Sequence, residues 1–308
     1  MRAYVLLIIG IIAASTSGPF IQMSAWADVA PFLLAFARLM LAGLLMMVFR
    51  FFFTNKNVGG ARRTFSYDDF RAALPAGLLL GVHLGTWNMG VGASTVANAT
   101  LIVNLNPVAM PIAMYLVIRE RLTVGEILGT VVALGGVMLL MLGDPNISFS
   151  AGTLKGDLIC FGSMLLAVAY LIVGKFRLKD RSLIDYLVPL YLIGALTCVP
   201  IALFESIKLD GVYRSDVISF VGLALVPTII GHSIFNYVMP RVRTQVFSIL
   251  NLSQFILAAI LAWMLTGEVP ERRFYPAAAL IVVGAIFVVL TAPKRIEKEI
   301  QLASSDTT

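Results

Sequence analysis

Charge is what this 308-residue sequence has least of. Asp, Glu, Lys and Arg together make up 13% of it, against 59% hydrophobic residues, and the mean hydropathy is +0.92. Soluble domains carry roughly 25% charged residues, so this chain lacks the side chains to cover a water-exposed surface. Cysteine is nearly absent. Cys160 and Cys198 both sit inside apolar runs, and they read as core packing rather than as a disulfide framework. No Cys/His cluster has metal-ligand spacing and there is no Gly-rich phosphate loop, so neither a metal, a cofactor nor direct driving by ATP is expected. The 17 acidic residues all fall in connecting segments, in the tail or at the ends of apolar runs. A carboxylate relay at mid-membrane is thereby excluded from the expected machinery.

What the sequence has instead is apolar runs of about 20 residues, nearly end to end, each long enough to cross a bilayer as a helix. Lipid offers the backbone no hydrogen-bond partners, which requires these runs to be helical. The apolar/polar alternation of a membrane β-barrel is missing. The expected spans are 3–22, 31–53, 71–91, 95–118 and 124–142, then 155–174, 183–205, 217–238, 244–266 and 275–292. Met1-Arg2, the apolar run and Ala13-Ala14-Ser15 also fit a signal peptide, but apolar character continues through Pro19, Phe20 and Ile21. Residues 293–308, charged and then small and polar, read as a tail on the cytoplasmic side.

The net charge of +6 does not point to nucleic acid, because the cations occupy short connections between apolar runs. With ten spans, 17 of the 23 lysines and arginines fall on the side of the termini and five on the other, with Arg38 inside a span. That bias places both termini in the cytoplasm, in a bacterial inner membrane.

The chain also repeats itself. A shift of 148 positions carries Asp68 onto Asp216, Asn88 onto Asn236, Glu120 onto Glu268, Gly136 onto Gly284 and Pro145 onto Pro293. Five spans is an odd number, so the second copy must enter the membrane from the opposite side. The expected fold is an all-α membrane protein of ten transmembrane helices arranged as two inverted five-helix repeats, 3–142 and 153–292.

The stretch Ala97-Asn98-Ala99-Thr100-Leu101-Ile102-Val103-Asn104-Leu105-Asn106-Pro107 runs on to Arg119-Glu120-Arg121-Leu122-Thr123. Its second copy, Val246 to Phe255, runs on to Leu265-Thr266-Gly267-Glu268. With Arg38 in Phe36-Ala37-Arg38-Leu39, these segments resemble EamA-type members of the drug/metabolite transporter superfamily, over almost the whole chain. The resemblance implies ten helices, cytoplasmic termini, a central cavity, and transport, often export, of amino acids or other small metabolites. The second copy departs from the family, which often has Glu-Pro where this chain has Gln254-Phe255.

Polar groups inside lipid usually face protein or a water cavity. Arg38, about eight residues into the second span, is a fixed cation able to hold a carboxylate or phosphate, or a structural arginine serving backbone carbonyls. His83 and Trp87 share a helical face, while Gly77, Gly81 and Gly85 form another that suits close packing, with Asn88 nearer the glycines. His232 and Asn236 repeat the i, i+4 spacing in the eighth span, with Thr228 on the same side. The fourth span presents Thr100, Asn104, Pro107 and Pro111, the two prolines marking a kink. The ninth presents Asn251 and Gln254. Gly18 and Pro19, among the hydroxyls of Ser15, Thr16 and Ser17, mark a hinge, and Tyr170 an aromatic wall. Trp26 reads as an interfacial anchor, and Glu120 and Glu268 as groups that tune loops or gates.

The candidate substrate-binding set is therefore Arg38, His83, Trp87, Asn104, Tyr170, His232, Asn236, Asn251 and Gln254. The expected partners are the lipid bilayer and a small molecule, most simply an amino acid or related organic anion or zwitterion moved by alternating access. The histidines make a proton one candidate coupling ion. Monomer and homodimer both fit. The rival classes are a membrane-embedded enzyme, which would need a nucleophile–base pair, and a non-transporting receptor.

Overall fold

The computed structural model describes residues 2–24, 30–53, 66–94, 96–141, 150–178, 181–205, 214–266 and 269–293. The described residues are helical in every span, and nine helical stretches among them are long and apolar enough to cross a membrane. The third span, Tyr67–Ala93, is 27 residues long and carries the stripe of glycines. Trp26, Glu268 and the tail beyond Pro293 lie outside the described residues.

In chain order the first repeat comprises α1 (Arg2–Ser15), α2 (Ser17–Gln22), α3 (Pro31–Phe53), α4 (Tyr67–Ala93), α5 (Val96–Val103), α6 (Asn106–Ile118) and α7 (Val124–Met141). The second comprises α8 (Leu154–Arg177), α9 (Leu183–Ala202), α10 (Arg214–Leu223), a π-helical segment α11 (Ala224–His232), α12 (Ser233–Val238), α13 (Thr244–Asn251), α14 (Gln254–Thr266) and α15 (Phe274–Thr291). Five of the expected spans are continuous helices close to their expected bounds. Tyr67–Ala93 starts four residues earlier than expected, because Ser66 and Asp69 form a reciprocal cap on its first turn.

The other four spans are broken or distorted, and proline accounts for three of them. A proline at position i has no N–H for the carbonyl at i−4. Pro19 leaves the Ser15 carbonyl without its helical donor, and the first span breaks at Thr16, whose hydroxyl donates to Ala13 O at 2.7 Å. Pro107 does the same to Val103, and the fourth span breaks at Asn104–Leu105. Pro227 does the same to Leu223. There the chain widens into the π-helical turn, and the Thr228 hydroxyl donates to Leu223 O at 2.7 Å. Pro111, by contrast, is accommodated inside a continuous α6. The Pro107 carbonyl that it leaves unserved accepts from Gln245 Nε2 at 3.3 Å.

The ninth span breaks without a proline, at Leu252–Ser253, one repeat length after the break at Asn104–Leu105. Gln254 Nε2 donates across this gap to Asn251 Oδ1 at 2.5 Å.

The inverted repeat is visible at the contact between α7 and α15. A Cβ on Gly136 would lie 2.6 Å from Ala277 O and 3.0 Å from the Ile281 side chain; one on Gly284 would lie 2.5 Å from Gly129 O and 2.8 Å from Ala133 Cβ. Adding 148 to 129, 133 and 136 gives 277, 281 and 284. Each glycine thus fills, in its own repeat, the role its mate fills in the other, as a two-fold axis between the helices requires. A larger side chain at either would drive the backbones apart.

The first helix is built into this bundle, with Leu7 and Ile11 buried in the main core. The glycine face of α4 packs as expected: Gly77 and Gly81 meet Leu190 and Gly194 of α9, and Gly85 meets the Phe32 ring of α3. Asn88 Nδ2 donates to Pro31 O at 2.9 Å, holding α4 to the start of α3. Cys160 and Cys198 are buried free thiols.

Among the described residues, the polar links that join span ends join ends that a ten-span path puts on the same side. Arg50–Asp185 (2.6 Å), Arg181–Asp69 (2.9 Å) and Arg243 with Glu120 and Glu126 lie on the side of the N-terminus. Ser24–Asp216, Ser94 and Asn98 with Asp157, and Glu205 accepting from the Phe32 and Leu33 amides lie on the other.

Candidate binding cavity

The breaks in α1–α2, in α5–α6 and in α13–α14 meet the π-helical segment around one cavity of about 270 Å³. Its wall takes Ser15, Ser17, Gly18 and Pro19 from the first span, Arg38 from α3, His83 and Trp87 from α4, and Val103, Asn104 and Asn106 at the first-repeat break. Tyr170 comes from α8, Pro227, His232 and Phe235 from the eighth span, and Asn251, Gln254 and Phe255 from the second-repeat break. Asn104 and Gln254 sit near the middle of their spans, and Ser17, Gly18, Pro19 and Trp87 nearer the ends remote from the N-terminus, so the cavity lies within the bundle, where inverted-repeat proteins carry their ligands.

Arg38 is the only fixed charge among the described lining residues, and no Asp or Glu joins it. Its side chain is 1% exposed. Nε donates to the Thr228 hydroxyl at 3.1 Å, and Nη1 is buried with no hydrogen-bond partner among the described residues. The π-helical turn makes this contact possible. Thr228 spends its one O–H on Leu223 O, which leaves a lone pair for Arg38. The Thr228 carbonyl in turn accepts from Tyr191 Oη at 3.1 Å, and Tyr191 also meets Ser233 Oγ at 2.8 Å.

The two histidines meet through Tyr170. Its ring stacks against His83, with centroids 6.3 Å apart, and its hydroxyl lies 2.6 Å from His232 Nδ1. Ser163 Oγ donates to His83 O at 2.9 Å. His83 Nδ1 faces both Ser163 O and Ser163 Oγ at 2.9 Å. Two acceptors around Nδ1 assign the proton to that nitrogen and leave Nε2 as an acceptor.

Eight of the nine expected binding residues therefore converge: Arg38, His83, Trp87, Asn104, Tyr170, His232, Asn251 and Gln254. Asn236 does not line the cavity. It is 1% exposed and turned toward α8, where the missing side chain of Gly174 leaves room for its amide, and its Nδ2 donates back to His232 O at 2.8 Å. Gly18 and Pro19 line the cavity as well as marking a break, whereas Pro107 and Pro111 shape the fourth span from outside it. Ser163, Phe235 and Asn106 were not singled out by the sequence pattern. For Asn106 a signal was present, because the 148-residue register pairs it with Gln254. Its Oδ1 is buried without a partner among the described residues.

Membrane-crossing helices in two inverted copies, closing on an internal cavity that carries a few polar side chains, are the construction of membrane transporters. The chain belongs to the EamA-like transporter family, whose model matches residues 1–142 and 154–290, and so to the drug/metabolite transporter superfamily. It is 26% identical over 119 residues to "Uncharacterized transporter YyaM" of Bacillus subtilis (strain 168), a match covering 38% of this chain and 39% of that protein's length. A crystal structure described as "Crystal structure of protein" superimposes with a TM-score of 0.77 at 18% identity. It covers 94% of this chain and 97% of that one, a likeness of fold.

Proposed function

We propose that this protein is a secondary transporter or facilitator that moves a small organic anion or zwitterion, an amino acid or a related metabolite, across a bacterial inner membrane by alternating access. Export is the proposed direction, and both termini face the cytoplasm. The observation that carries the substrate class is the Arg38 guanidinium, set against the cavity with Nη1 unpartnered and with no carboxylate among the described lining residues. A buried cation left in this state favours a ligand that brings negative charge to it. The amides of Asn104, Asn106, Asn251 and Gln254 supply neutral donors and acceptors for the rest of such a ligand. Trp87, Phe235 and Phe255 supply apolar surface.

Purified protein in proteoliposomes, loaded with a panel of amino acids and organic acids, tests the reading. Flux of at least one anionic or zwitterionic compound, lost in Arg38→Gln, is the expected outcome. Movement of a cation such as guanidinium with no flux of any anion or zwitterion would overturn the substrate class.

A further inference from the structure

The two broken spans differ in how tightly their halves are held. Under the repeat, α13 corresponds to α5, and α14 to α6. Seven of the eight residues of α13 are buried, so this short helix is enclosed on every side. It lies on the side of the N-terminus, as does α6, which buries Pro107, Met110 and Met114. On the far side α14, the counterpart of α6, has no fully buried side chain among those described, whereas α5, the counterpart of α13, buries Asn98, Ala99, Leu101 and Ile102.

The far-side α5 is held by neutral donors, Asn98 and the nearby Ser94, on Asp157, whereas the seam around α13 carries an ionic set. Arg243, just before α13, reaches Glu126 with both Nε and Nη2, Glu120 through Nη1 at 3.2 Å, and Arg121 O through Nη2 at 2.7 Å. Gln245 Nε2 donates to Thr130 Oγ1 at 2.7 Å as well as to Pro107 O. Lys175 Nζ donates to Thr244 Oγ1 at 2.7 Å.

We propose that Arg243, with Glu126 and Glu120, is a gate. It holds the cavity shut on the side of the N-terminus and leaves it open toward the opposite side. The proposal rests on the transport reading above and names what controls access to that same cavity. The repeat register shows why the gate is one-sided. Arg243 corresponds to Thr95, Glu126 to Phe274, Gln245 to Ala97 and Thr130 to Ala278; of the ionic set only Glu120 keeps its kind, at Glu268. In the mirrored state the opposite seam would close without this ionic set, so closure on the N-terminal side is the resting state. Opening that seam must part Arg243 from two carboxylates, one of them wholly buried.

Glu126 also caps the start of α7, accepting from Thr123 N at 2.8 Å. The informative variant is therefore Arg243→Gln. In a Cys160→Ala/Cys198→Ala background, Ser248→Cys on buried α13 and Ser17→Cys in the cavity wall serve as separate reporters, alkylated with N-ethylmaleimide on folded protein in nanodiscs. Arg243→Gln is expected to raise labelling at position 248 about tenfold and to lower it at 17, the reciprocal shift of a two-state equilibrium. The charge swap Arg243→Glu/Glu126→Arg returns both toward the parent. Unchanged labelling at 248, or a rise at both positions together, overturns the gate. If Arg243→Gln does not yield monodisperse protein, Gln245→Leu must produce the same reciprocal shift, and its absence is equally fatal. Labelling needs no substrate. A reciprocal shift without flux of any metabolite would keep the gate and discard the transported class, and flux without the shift would do the reverse.

Discussion

Arg38 on the second span donates to Thr228 on the eighth, 190 residues away, and the contact exists because of a proline one position earlier. Pro227 cannot serve the Leu223 carbonyl. Thr228 does so with its hydroxyl proton and is left as an acceptor for the guanidinium Nε. A helix distortion is thereby converted into the support that orients the one fixed charge among the described lining residues of the cavity. π-Helical turns of this kind recur at functional sites.

Replacing Arg38 by Gln keeps a polar side chain but removes the charge. Affinity for the proposed anionic or zwitterionic ligand should fall by about 10- to 100-fold, the worth of a charge-assisted hydrogen bond. Arg38→Lys should fall between, because it keeps the charge without the Nε contact. Thermal-shift titration with whichever compound the flux screen identifies reads both. Equal ligand-induced shifts in Arg38→Gln and the parent would show that Arg38 is purely architectural.

Gly136 and its neighbour Gly135 make a matched pair. A Cβ on Gly136 runs into the Ala277 carbonyl, whereas one on Gly135 meets nothing within 4 Å. Gly136→Leu should destabilise the protein by about 1–3 kcal/mol through overpacking, and Gly135→Leu should leave the melting temperature close to the parent. Similar melting curves for the two variants would remove the proposed two-fold contact between α7 and α15 as a stabilising element.

The chain from His83 through Tyr170 to His232 is where proton coupling would have to run. Tyr170→Phe deletes the hydroxyl contact to His232 and should cost about 1 kcal/mol of stability. The double variant His83→Gln/His232→Gln should abolish uptake driven by a pH gradient while leaving counterflow exchange intact. Full pH-driven uptake in the double variant would eliminate the histidines as proton carriers.

Arg50 and Asp185 form a buried pair that ties the second span to the seventh. Asp185→Ala alone should cost about 3–5 kcal/mol, because it strands a buried cation. Arg50→Met/Asp185→Leu should cost clearly less, since the desolvation of both charges is removed together. Chemical or thermal unfolding of the three proteins in detergent makes the comparison. A double variant as unstable as Asp185→Ala would mean that the pair is held by more than its mutual charge.

Much of the cavity wall was legible before any coordinates. The i, i+4 pair His83 and Trp87 shares a face because a helix repeats every 3.6 residues, and the glycines at 77, 81 and 85 had to lie elsewhere. That arithmetic held in α4, which is a regular helix. It does not locate Asn236, which stands outside the cavity wall with its Nδ2 on His232 O and its side chain beside Gly174, a residue 62 positions away. The ninth-span break was also hidden. Where the fourth span has Pro107 the ninth has Phe255, and the break is spanned instead by the Asn251–Gln254 bond.

The sequence by itself determined the number of spans, their helical state, the 148-residue register and the inverted relation of the halves. The spans and their helical state depend on hydropathy counted along the chain, because lipid forces each span to satisfy its own backbone, and the register and the inversion depend on matched residues and an odd number of spans per half. Tertiary structure decided which polar side chains reach the cavity, where the eighth span widens into a π-helical turn, and which seam Arg243 closes. Those outcomes depend on which carbonyls the prolines leave unserved and on which distant side chains come to serve them.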